Sequence, residues 1–113
     1  MQREARKYLS DIQQAITLLA EFTAGKQFSD YEGDAMLRAA VEREFEIIGV
    51  ALSEFANLDK TLAARISEYP RIIAFRNIIA HGYAYVDSKT VWDVVHTKIP
   101  VLAREIEALL EEA

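Results

Sequence analysis

The sequence predicts an all-α protein, an antiparallel bundle of four main helices joined by short links. Three observations predict it. Only four glycines and two prolines occur in 113 residues, so little interrupts a helix. Apolar residues recur at steps of three and four along most of the chain. No apolar/polar alternation bounded by hairpin turns occurs, nor any internal repeat or low-complexity linker. The 51% hydrophobic content suits one domain over residues 1–113, burying roughly two thirds of its unfolded surface.

The elements follow in order. Tyr8, Ile12, Ile16, Leu19 and Phe22 form one stripe, with Lys7, Asp11, Gln14 and Glu21 opposite. This predicts an amphipathic helix over about residues 4–24, closed by Gly25 as its C-cap. Ser29-Asp30-Tyr31-Glu32 has the form of a capping box opening a second helix. Leu37, Val41, Phe45, Ile48, Leu52 and Phe55 run its length. Gly49 interrupts that helix at a cost of about 1 kcal/mol relative to Ala, which the close approach of another backbone would explain. Asn57 and Asp59 are candidate caps for a third helix that includes Leu62 and Ile66. Pro70 kinks it or starts a fresh segment reaching about Ala80. Gly82 ends that segment, and residues 83–87 lead to a last helix at Ser88. Val91, Trp92, Val95, Ile99, Leu102, Ile106 and Leu109 keep helical spacing there, with a bend expected at Pro100.

Composition excludes several functions. With no cysteine there are no disulfides, thiolate metal sites or cysteine nucleophiles. That fits a reducing cytoplasm. No apolar run approaches a membrane span of roughly 18 residues, and no signal-like stretch follows Met1. A net charge of −5 excludes a broadly basic nucleic-acid surface but permits a small local cationic site. No phosphate-cradling glycine loop, Ser/His/Asp signature or zinc-protease motif is present.

The chemistry lies in Phe75-Arg76-Asn77-Ile78-Ile79-Ala80-His81-Gly82-Tyr83. At about 100° per residue, Ile72, Phe75 and Ile79 share a core face. Arg76 and His81 then flank the far side, and Asn77 and His81 stand four apart as helix neighbours. Ile73 and Ala80 lie between the flanks, away from the core. A two-fold interface would bury that apolar strip and gather two Arg and two His into one groove. Such a groove suits a phosphodiester, since Arg binds phosphate through two parallel hydrogen bonds and His moves protons near neutrality. Spacing alone equally fits an Arg and a His that are satisfied by neighbours on the surface.

Other residues read more plainly. Arg65, Arg71 and Lys60 could extend a phosphate track, or be isolated solvated charges. Glu42, Glu44 and Glu46 alternate, so they share no helix face and are assigned to surface or interface. His96 lacks partners at metal-ligand spacing, and Trp92 reads as core. No metal or other cofactor is expected.

Arg76-Asn77-Ile78-Ile79-Ala80-His81-Gly82-Tyr83 resembles the Arg-Asn-x-x-x-His-x-Tyr signature of HEPN-domain proteins, specifically the HepT-like toxins. The likeness covers nearly the whole chain. It includes Tyr8 to Ile12, Phe22 to Gly25, Ile47-Ile48-Gly49, Val91-Trp92 and Ile99-Pro100. Two positions depart from the family pattern. Val50 replaces a usual Glu after Gly49, and Ile72 stands where a Trp usually follows Pro70 by two. The resemblance implies a HEPN-like bundle and a metal-independent endoribonuclease toxin of a type VII-like toxin–antitoxin system, active as a homodimer. Arg76 and His81 would be catalytic, with Asn77 in support, orienting His81 or the helix end. It further implies an RNA substrate and a minimal nucleotidyltransferase antitoxin that neutralises the toxin by transferring AMP to Tyr83. The alternative, also within this superfamily, is a non-catalytic nucleotide-binding or accessory subunit of a nucleotidyltransferase.

Overall fold

The computed structural model describes residues 1–82 and 86–113. Among these the fold is all-α. In order the helices are α1 (Arg3–Thr23), α2 (Phe28–Glu32), α3 (Ala35–Leu58), α4 (Lys60–Ala63), α5 (Tyr69–His81), α6 (Ser88–Thr97) and α7 (Ile99–Glu111). The four main rods are α1, α3, α5 and the broken pair α6–α7. Helix α3 is central, packing on α1 along one side and on α5 along another, while α1 also packs on α7.

The expected apolar stripes form the core. Leu9, Ile12 and Leu19 of α1 meet Val41, Ile48, Leu52 and Phe55 of α3 and Leu102, Ile106 and Leu109 of α7, all fully or almost fully buried. Gly25 has φ +70°, the left-handed conformation that turns the chain after α1. Trp92 is core, as expected, and its ring stands 5.3 Å from that of the fully buried Tyr31.

Three local expectations change. The capping box is not Ser29–Glu32. Gln27 is the N-cap, and Asp30 Oδ2 accepts from the Gln27 N–H at 2.8 Å. The resulting single turn ends at Gly33, and α3 starts afresh with Asp34, whose Oδ1 accepts from the Leu37 N–H at 3.0 Å. The break lets Tyr31 turn inward against Trp92 instead of following the α3 stripe. Asn57 lies inside α3, whereas Asp59 caps α4 through the Leu62 N–H at 3.0 Å. The third helix thus shrinks to one turn before α5, which Pro70 opens from its first turn. At Pro100 the last helix breaks rather than bends. Lys98 closes α6 by donating to the Val94 carbonyl and starts α7 by accepting from the Leu102 N–H. Proline's missing N–H makes that junction the natural place to restart.

Candidate active site

Two helices build the site. Arg76 lies midway along α5, half-buried, with its stem laid across Gly49 of α3. A Cβ placed on Gly49 would fall 2.2 Å from Arg76 Cβ and 2.3 Å from Cγ. No side chain other than hydrogen fits there without displacing the arginine. The close approach expected at Gly49 is therefore made by a side-chain stem, not by a backbone.

The guanidinium is thereby held with a bias. Arg76 Nη1 donates to Asn77 Oδ1 at 3.1 Å. Arg76 Nε is buried and, among the described residues, has no hydrogen-bond partner. A buried guanidinium N–H without an acceptor is costly, so this wall of the site is held by the packing of the arginine stem. The guanidinium borders two hollows. One, of about 420 Å³, lies toward α1 and is lined by Lys7, Tyr8 and Arg43 among others. The other, of about 260 Å³, runs between α3 and α5 beside Ser53 and Ile73. Val50 borders both.

His81 is the last residue of α5 and is exposed. Gly82 follows, its N–H donating to the Ile78 carbonyl at 2.6 Å. A Cβ at Gly82 would lie 2.4 Å from that carbonyl oxygen, so glycine permits the tight exit. Among the described residues no hydrogen bond or ion pair engages His81. Asn77 is tied to Arg76, and no hydrogen bond among the described residues links it to His81. Tyr83 lies outside the described residues.

The apolar strip is differently placed than expected. Ile73 and Ala80 are half-buried, Ile73 against the Gly49–Ser53 wall of α3. On α5 and the facing part of α3, the large apolar side chains left to solvent are Ile78, 57% exposed, and Val50, 46% exposed. Helix α5 leans on α3 through Arg76 and Ile73, and this rotates Ile78 outward.

The alternative phosphate track does not assemble. Arg65 makes a two-pronged pair with the Glu112 carboxylate, and Arg71 donates to Glu68 at 2.9 Å. His96 stacks on Trp92 with ring centres 4.4 Å apart, its Nδ1 lying 2.8 Å from the Trp92 carbonyl. Among the three alternating glutamates, Glu44 is buried, against the surface assignment, because α3 is covered on more than one side. Among the described residues, no group of three or more His, Asp or Glu could hold a metal ion, and no helix is long and apolar enough to cross a membrane.

A helical bundle carrying Arg and His five residues apart before an exit turn defines the class. The HepT-like ribonuclease family profile matches residues 12–109, and the chain belongs to this family. It is 36% identical to a protein of Thermococcus cleftensis named "Probable ribonuclease HepT", over 96% of this chain and 98% of that protein. It is 31% identical to a candidate RNase of Caldanaerobacter subterraneus subsp. tengcongensis, over 95% of each chain. A candidate RNase of Methanocaldococcus jannaschii is 30% identical over 93% of this chain and 95% of that one. No solved structure matches.

Proposed function

We propose that the protein is a metal-independent endoribonuclease toxin, working as a homodimer, with Arg76 and His81 as its catalytic pair. The observation that carries this reading is Arg76, its stem seated against Gly49, on the same helix as an exposed His81. His81 takes the proton from an RNA 2′-hydroxyl, and that oxygen attacks the adjacent phosphorus. Arg76 stabilises the charge gathering on the phosphoryl oxygens. The 5′-oxygen leaves with a proton from an acid, for which the second copy's His81 is the candidate. The products are a 2′,3′-cyclic phosphate and a 5′-hydroxyl end.

Helix α5 itself supports the second copy. It is apolar nearly all round, yet of its residues only Ile79 is buried. A two-fold contact through Ile78 would cover the remainder. In this reading the partner antitoxin is a small nucleotidyltransferase, and the Tyr83 hydroxyl, next in sequence after Gly82, takes AMP from ATP with release of pyrophosphate. The added phosphate and bulk would repel RNA from Arg76.

Val50, in place of the family's usual Glu, sustains the second reading of a nucleotide-binding subunit. One comparison separates the two. Wild type should cut single-stranded RNA to cyclic-phosphate ends, whereas His81→Ala and Arg76→Ala should fall to background. Equal cutting by rigorously purified His81→Ala removes the mechanism. Nucleotide binding by calorimetry with no cutting selects the accessory subunit. Intact mass after incubation with the transferase and ATP tests the modification. An increase on wild type that vanishes in Tyr83→Phe is expected.

A further inference from the structure

The hollow between α1, α3 and α5 contains three cations drawn from three helices: Lys7, Arg43 and Arg76. Its volume of about 420 Å³ falls within the range of small-molecule sites. The carboxylates beside it are Asp11 and Glu46, which leaves the group at net +1 within a chain of net charge −5. Three basic side chains elsewhere are tied to carboxylates. Arg65 is clamped by Glu112, while Arg71 and Lys98 share Glu68.

Two cations of the hollow stand in exposed ion pairs along their own helices. Arg43 is 3.9 Å from Glu46 and Lys7 is 3.3 Å from Asp11, both cations being largely exposed. Such pairs are weak, so a phosphate can take the carboxylate's place. Arg76, by contrast, is half-buried, its stem fixed against Gly49 in the wall. Tyr8 supplies a half-buried aromatic ring, over which the Lys7 ammonium stands 5.9 Å from the centroid. Cations beside an aromatic platform are how single-stranded nucleic acid is held without regard to sequence. Arg76 also belongs to the helix that carries His81. Five residues separate them, about 7.5 Å along the axis.

We propose that this hollow seats a nucleotide adjoining the one cut, with Tyr8 stacking its base and Lys7 and Arg43 gripping the flanking phosphates. Arg76 marks the border between this seat and the reacting phosphate. The inference rests on the ribonuclease reading and names how its substrate is held.

The test is fluorescence anisotropy with a labelled, uncleavable 2′-O-methyl RNA octamer. Lys7→Gln/Arg43→Gln should bind roughly tenfold more weakly, and the slope of log affinity against log salt should shrink by about 1.4 for two lost phosphate contacts. Lys26→Gln/Arg104→Gln carries the same charge change away from the hollow and should leave both values near wild type. Tyr8→Phe should bind as wild type and Tyr8→Leu more weakly, with helical content checked by circular dichroism. Equal weakening by both charge pairs, no weakening by the first, or equal displacement of the RNA by a glutamate oligomer of matched charge would overturn the seat. RNA bound through the hollow but never cut upholds the seat and removes the ribonuclease chemistry. RNA cut by wild type and bound as tightly by Lys7→Gln/Arg43→Gln removes the seat and leaves the chemistry.

Discussion

Gly49 decides where Arg76 can be. Alanine there gains about 1 kcal/mol of helix propensity, but its methyl would overlap the arginine stem. Overpacking of this kind costs about 1–3 kcal/mol. Gly49→Ala should therefore lower the melting temperature and reduce RNA cleavage together, as thermal melts and a cleavage assay would show. Tyr31 tests a different balance. Its hydroxyl is buried without a partner among the described residues, and burial, reinforced by Glu42, pushes the phenol up to about 12. Tyr31→Phe keeps the ring against Trp92 and removes the unsatisfied group, so stability should hold or rise by up to about 1 kcal/mol. Glu44 carries a pH signature. Burial raises its carboxyl above the usual range, with Arg43 opposing. A raised acid binds its proton more readily when folded, so its ionisation destabilises the fold as pH rises through the folded pKa. Glu44→Gln should melt higher than wild type near neutrality, and the difference should shrink as pH falls through that raised value.

At the scale of elements, short caps set the breaks between helices. Asp34 and Asp59 each accept a first-turn N–H at 3.0 Å. Asp34→Ala or Asp59→Ala should cost about 1 kcal/mol in chemical denaturation. Asp87 caps α6 and bonds Thr90 at 2.7 Å, and that hydrogen bond holds its carboxyl below the usual range. Its contribution is present above the unfolded pKa and fades as pH falls through the folded one. The order of helices was legible because hydrophobic spacing is a local signal. Sequence does not choose between the Gln27–Asp30 and Ser29–Glu32 capping boxes, because both are chemically competent. The burial of Tyr31 against Trp92, a contact across 61 residues of chain, accompanies the pair that forms.

For the whole molecule, the open question of stoichiometry is tested through α5. Ile78 is the most exposed large apolar residue of that helix. In the homodimer reading, sedimentation velocity should find wild type as a dimer. Ile78→Glu should sediment as a monomer with unchanged helical content and lose RNA cleavage. A monomeric wild type that cuts RNA would reject the two-fold site.

The sequence by itself determined the helical class, the main apolar stripes, the fresh segment opened by Pro70, and the Arg76–His81 run. All of these are written within a few residues of one another, at spacings that backbone hydrogen bonding dictates. It could not bring Lys7 and Arg43 beside Arg76, commit Arg65 to Glu112, or reveal that Gly49 makes room for an arginine stem. Those outcomes depend on how helices distant in sequence cross. Crossing is decided by side-chain volumes meeting across the core, and so only the tertiary structure could decide them.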